Sequence, residues 1–248
     1  MFDAKSLLDQ FLGAGGQSGG GAGDPARRSS GSDDLMARGR DFLSNQGGGL
    51  ALGGIAGLLL GSKTGRKVGK TALTYGGMAL VAGLAYKAYQ GYRANQDGTA
   101  RPQSPAGNPA ALEAPKGTGF DPAQAPGGAD AFAVTLLSAM IAAAKADGHI
   151  DAEEQGRIFD KIAEAGLDSE AKAFLMDELR APLDLDRIVS GARTPEQALE
   201  VYAASRLAIE PDLPAEKAYL DMLAARLGIE PDLVAEVDLA VREAQAAS

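Results

Sequence analysis

The chain has 248 residues, with 24 Lys and Arg against 33 Asp and Glu, a net charge of −9, and no cysteine. Without cysteine there is no disulfide framework and no thiolate chemistry. Residues 1–129 hold 13 basic and 9 acidic side chains, net +4, whereas residues 130–248 hold 11 and 24, net −13. That acidic half lacks the clustered Lys and Arg that phosphate neutralisation needs, which excludes nucleic acid as a partner.

The chain opens on Met1-Phe2-Asp3 with no basic stretch before an apolar core, so no cleaved signal peptide is expected. Residues 1–12 place Phe2, Leu7, Leu8, Phe11 and Leu12 near one helical face, which predicts a short amphipathic helix. So short a helix needs a protein partner or a lipid surface to persist. Residues 13–40, rich in Gly and Ser, read as a disordered linker.

Residues 41–93 form the apolar region. Between Asp41 and Lys63 lie 21 uncharged residues, and about 20 suffice to span a bilayer core. Gly49, Gly53, Gly57, Gly61, Gly65 and Gly69 recur at every fourth position. On a helix this spacing leaves a side-chain-free stripe, which costs about 1 kcal/mol per Gly in water but serves close helix packing in lipid. The stripe predicts self-association. After the basic cluster Lys63, Arg66, Lys67 and Lys70 comes a second uncharged run, Thr71 to Tyr86, with Tyr75, Tyr86, Tyr89 and Tyr92 suited to an interfacial belt. Either both runs form a hairpin in the membrane, or one spans while the other packs at the interface; a soluble buried helical hairpin is the bland alternative.

Residues 94–129 are Pro-, Gly- and Ala-rich and read as a linker that leaves the acidic half free to move. Residues 130–248 read as all helix, with helices at about 130–146, 151–165, 168–180, 184–191, 195–209, 214–227 and 232–246. Thr194-Pro195-Glu196-Gln197 is a strong start signal, and Gly166 and Gly228 are stops. The first of these helices is apolar on nearly every side and is expected at the centre.

Three segments join acidic residues to a helix start: Asp147 to Glu154, Glu210 to Glu216 and Glu230 to Glu236. The last two repeat as IEPDLPAE and IEPDLVAE at an offset of 20. One reading is capping, in which these carboxylates satisfy the first N–H groups of helices. The sharper reading brings the first two loops together, so that Asp147, Asp151, Glu153, Glu154, Glu210, Asp212 and Glu216 hold a hard cation, Ca²⁺ or Mg²⁺. An EF-hand is excluded, because counting from Asp147 position 12 is Ile158 rather than Glu. His149, the single histidine, reads as solvated. There is no Ser-His-Asp set, Walker A sequence or dinucleotide fingerprint, and no catalytic residue or organic cofactor is expected.

The segments FDAKSLLDQFL, GSKTGRKVGKTALTYGGMALVAGLAYKAY, KADGHIDAEE and LAIEPDLPAEKAYLDMLAARLGI together resemble the YebE-like bacterial inner-membrane proteins, whose C-terminal half is TerB-like, of the tellurite-resistance superfamily. The resemblance implies an all-α, seven-helix TerB-like bundle behind a membrane-associated region, with no enzymatic activity. It also implies metal binding through acidic residues that map onto Asp147, Glu153 or Glu154, and Glu216. Glu210-Pro211-Asp212 stands where the commonest TerB pattern has an Asp-Gly pair. The resulting expectation is a protein of the bacterial inner membrane whose C-terminal domain lies in the cytoplasm. There it serves as an interaction or cation-sensing module for an unidentified protein partner, in envelope or metal stress. The alternatives are a soluble metal-binding stress-resistance protein and, further off, a hydrolase using paired carboxylates.

Overall fold

Asp3 opens the first helix: its carboxylate accepts the Ser6 N–H at 2.8 Å, satisfying one of the donors that a helix start leaves without a partner. Helix α1 then runs Ala4–Gly13. The computed structural model describes residues 3–13, 77–98, 116–146, 148 and 169–247. Among the described residues there are eight α-helices and no strand, so the all-α expectation holds. After α1 these are α2 Gly77–Gln96, α3 Ala129–Ala144, α4 Ser169–Arg180, α5 Leu185–Gly191, α6 Pro195–Ala208, α7 Pro214–Leu227 and α8 Pro231–Ala247, with one 3-10 turn at Pro122–Gln124. The helix expected at 151–165, its stop Gly166 and the six stripe glycines lie outside the described residues.

The apolar side of α1 is buried at Ala4, Leu7 and Leu8. It lies against α2 and α3, so the partner this helix needs is protein. Asp9, at its far end, accepts the Met78 N–H at 3.3 Å and so caps the first turn of α2 from 69 residues away.

Helix α2 overturns the reading of Thr71 to Tyr86 as a bilayer segment, for the part that is described. It packs against α8, α6 and α1, and Leu80, Val81, Leu84 and Ala85 are almost wholly inaccessible. From Gly77 to Ala85 it carries no charge, so removing this stretch from water costs no ion desolvation. Protein helices here supply the apolar surroundings that lipid was expected to supply. Among the described residues no helix is long and apolar enough to cross a membrane. Past Tyr86 the helix becomes polar and is pinned to α8, which runs antiparallel to it, and to the residue just before α8. Lys87 pairs with Glu243 at 2.9 Å, Tyr92 donates to Glu230, and Asn95 donates to Glu236 at 2.8 Å.

The stretch expected as a free linker is in its described part a strap. Asp121 accepts the N–H groups of Gly117 and Ala123 at 2.8 and 3.0 Å, which folds residues 117–124 into a tight turn. Phe120 is buried edge-on against Tyr86 and also meets Tyr89, with ring centroids 5.5 and 5.7 Å apart. Next to it, a Cβ added at Gly119 would lie 2.7 Å from Cδ of Glu196 on α6. The strap thereby bridges α2 and α6.

Helix α3 is buried at every position from Leu136 to Ala144, as expected of a central helix. Its main neighbour is α6, buried at every position from Gln197 to Ala208. The start signal at α6 forms as read: Thr194 accepts the Gln197 N–H at 3.2 Å, and Gln197 Oε1 accepts the Arg193 N–H at 2.8 Å. Gly228 ends α7 in the left-handed conformation at φ 70°, where a Cβ would be strained. At Gly191 the cause is a close approach, since a Cβ would come within 2.5 Å of Thr135 Cγ2.

Leu84→Ala is expected to lower the unfolding free energy by about 2–5 kcal/mol, measured by chemical denaturation, because a fully buried leucine in packed protein leaves a cavity. An unchanged denaturation midpoint would mean that the bundle does not enclose this face of α2.

Candidate functional site

Helix α6 reads as half polar in sequence yet lies inside the protein, so its ionisable groups are the first place to look for chemistry. Glu200 is 2 % exposed, and its Oε2 has no hydrogen-bond partner. Burial, with a smaller push from the like charge of Glu196 one turn earlier, raises its carboxyl from 4.5 to about 9. Glu200 therefore stays protonated at neutral pH. A proton held there is uncharged, which is the cheaper state in an apolar surround.

One turn further along α6, Tyr202 and Arg206 face α8. Tyr202 donates to Asp238 Oδ1 at 3.4 Å, and Arg206 Nε lies 3.3 Å from the same oxygen, near enough for an ion pair but not aligned for a hydrogen bond. Arg206 spends its aligned donor, Nη1, on the Ile209 carbonyl at 2.8 Å, closing the end of α6. Burial raises Asp238 despite the opposing pull of Arg206 and Arg242. Burial likewise raises the phenols of Tyr202 and Tyr219. Tyr219 and Ser205 both reach the Ala139 carbonyl, at 3.5 and 3.4 Å, tying α7 and α6 to α3.

A second polar group lies where α3, α4 and α5 meet. A shallow cleft there is lined by Ile141, Lys145, Glu178, Leu183, Asp184 and Arg187. Lys145 donates to the carbonyls of Glu178, at 3.1 Å, and Ala181, which end α4, and burial lowers its pKa. Arg187 pairs with the buried Glu178. Asp184 accepts the Arg187 N–H at 3.0 Å and so caps α5. Each of these groups closes a helix end or pairs with a neighbour.

Of the acidic loops, Asp147, Asp151, Glu153 and Glu154 lie outside the described residues, as does His149. Glu210 and Asp212 are exposed. Glu216 is buried, and its Oε2 accepts the Leu213 N–H at 3.0 Å at the start of α7. This is the capping geometry, half of a capping box because Leu213 has no side-chain acceptor to return the bond. In the echo segment Glu230 is turned to Tyr92 of α2, and Glu236 to Asn95. Among the described residues no group of three or more His, Cys, Asp or Glu is placed to hold a metal ion. The buried Glu200, Tyr202 and Arg206 and the half-buried Asp238 did not stand out in sequence. Their one signal is charge at i and i+6 in a helix flanked by alanines.

Two expected outcomes follow. Glu200 has a folded-state pKa above its unfolded value, so its contribution is fully present below about pH 4.5 and is lost as pH rises toward about 9. The stability gained by Glu200→Gln, measured by denaturant titration, should therefore be larger at pH 8 than at pH 5; an equal difference at both would contradict the assignment. Glu216→Ala should cost about 1 kcal/mol as a lost cap, to the same extent in millimolar Ca²⁺ or Mg²⁺ as in chelator. A loss that appears only with the cation present would make Glu216 a ligand.

A family profile described as "Protein of unknown function (DUF533)" matches residues 45–241. A protein of Yersinia enterocolitica described as "Uncharacterized protein in ampR 5'region" is 31% identical over 108 residues, which cover 44% of this chain and 78% of that protein. No solved structure matches the chain.

Proposed function

The chain belongs to the family described as protein of unknown function (DUF533), and on that premise we propose that it is a non-enzymatic interaction module carried on a membrane-associated segment. The observation that carries this reading is the outer face of α7. Its inner face buries Tyr219, Leu220 and Leu223, yet Ala215, Ala218, Met222 and Ala225 form a second apolar row that is exposed, with Met222 at 50 %. Residues at such three- and four-residue steps share one helix face. Asp221 and Arg226, the latter paired with Asp186 of α5, border the row, so an apolar centre is rimmed by charge in the manner of a protein contact. Helices α3 to α8 are the part we assign as TerB-like, and the whole chain as YebE-like.

With α2 inside the bundle, membrane attachment falls to the first uncharged run, residues 42–62, which carries the first four stripe glycines; because α1 and α2, on its two flanks, pack together, this run is assigned to enter and leave the bilayer from one side and not to cross it once. The inner membrane of bacteria, with the bundle on the cytoplasmic side, is the site this reading assigns. Burial of α2 also favours the runner-up, a soluble metal-binding stress-resistance protein, because only one uncharged run then remains for lipid.

One experiment separates these. Full-length protein is captured from cells after membrane fractionation, beside Met222→Glu, a surface change expected to leave stability within about 0.5 kcal/mol. Alkaline-resistant recovery in membranes for both forms, with a co-captured protein lost only in Met222→Glu, is the expected result. Recovery of the wild type in the soluble fraction would favour the runner-up, and an unchanged set of captured proteins would remove α7 as the contact.

A further inference from the structure

On the outer face of α7, Ala215, Ala218, Met222 and Ala225 follow one another at steps of three, four and three, the spacing of a seam between two helices. All four are exposed, and Met222 is the one large side chain among them. Small residues alone would identify no partner. The information lies beside them, in Lys217 and Asp221, which are exposed one turn apart along the same edge of the seam. Among the described residues Asp221 makes no ion pair and no hydrogen bond, and Lys217 reaches only the Asp212 carbonyl, at 3.4 Å.

A second α7 laid antiparallel on the first, about a two-fold axis near residue 220 in the middle of the helix, satisfies both features at once. Ala218 then faces Met222 of the second copy, and Ala215 faces its Ala225, so the large side chain meets a small one in each central layer. Along the edge, Lys217 comes level with the second copy's Asp221, and by symmetry Asp221 with its Lys217. The two carboxylates lie between the two ammonium groups, and the edge is neutral as a whole. Antiparallel packing also sets the positive start of each helix beside the negative end of the other. A parallel pair would instead place Lys217 beside Lys217 and Asp221 beside Asp221.

We propose that the occupant of the α7 face is a second copy of this chain, docked antiparallel through α7 in a two-fold pair. This rests on the reading of that face as a protein contact and names its partner.

Because the chain has no cysteine, an introduced thiol reports a single contact. Two full-length forms are prepared, Ala215→Cys and Ala225→Cys, small changes at exposed alanines that leave Met222, Lys217 and Asp221 in place. Each is first shown to melt in reductant as the unaltered chain does. In the two-fold pair residue 215 of one copy faces residue 225 of the other, whereas like positions are about 15 Å apart along the axis, too far for a disulfide. The expected result is a heterodisulfide in the oxidised mixture, rising with concentration as a small interface requires, and no disulfide in either form alone. Adding Asp221→Lys to both forms should lower the yield about tenfold, since two attractions become two repulsions. Adding Lys217→Asp to one form and Asp221→Lys to the other should restore it, because unlike charges then face each other again. Disulfides within either form alone, no heterodisulfide at any concentration, or a yield indifferent to these charges would overturn the proposal. If the heterodisulfide is missing while Met222→Glu still loses a captured protein, the face serves a different partner and the second copy alone is excluded. If both fail, the reading of the face as a contact falls as well.

Discussion

The fold depends on keeping α2 out of water. From Gly77 to Ala85 the helix offers no polar side chain to any side, and in isolation it would expose apolar surface all round. A helix of that kind is stable only where other surfaces enclose it, and in this chain α1, α6 and α8 do so. Its start is capped by Asp9 from α1, and its polar second half is clasped at three points, to Glu236 and Glu243 of α8 and to Glu230 just before it. The apolar stretch supplies most of the driving force, since burial yields about 25 cal/mol per Å². The clasps contribute less energy and more register: Lys87, Tyr92 and Asn95 can meet Glu243, Glu230 and Glu236 in one alignment of the two helices.

Seen this way, the uneven charge along the chain marks two sides of one contact. Lys87 comes from the basic half, while Glu230, Glu236 and Glu243 come from the acidic half. The strap adds a second join, with Phe120 packed on Tyr86 and Gly119 against Glu196. The buried polar groups of α6 then have a consistent meaning. Arg206 and Tyr202 meet Asp238 of α8, Ser205 reaches α3, and Glu200 stays protonated where no partner is offered.

Much of the secondary structure was legible in sequence because local signals and tertiary packing agree. Thr194-Pro195, Asp184 and Gly228 mark helix ends through their own backbone chemistry, and the described helices of residues 130–248 begin and end within two residues of expectation. What was not legible is who covers whom. A run such as ALTYGGMALVAGLAY has the same composition whether lipid or protein surrounds it, because both satisfy the same lack of polar groups. The burial of α6 was hidden for the opposite reason, since Glu196, Glu200 and Arg206 are side chains of kinds that mostly stay exposed. For the acidic loops, Glu216 shows why spacing alone could not decide between capping and metal binding: both need a carboxylate at a helix start, and the Leu213 N–H is what it receives.

Native-state hydrogen exchange on the full-length protein tests the central claim most directly, because it reads the protection of individual helices. If α2 is a pillar of the bundle, its amides from Leu80 to Ala88 should exchange only through global unfolding, with the same free energy and denaturant dependence as those of α6 from Val201 to Leu207. Exchange of the α2 amides at a distinctly lower free energy, while α6 stays protected, would show that the bundle stands without this helix and would contradict the account.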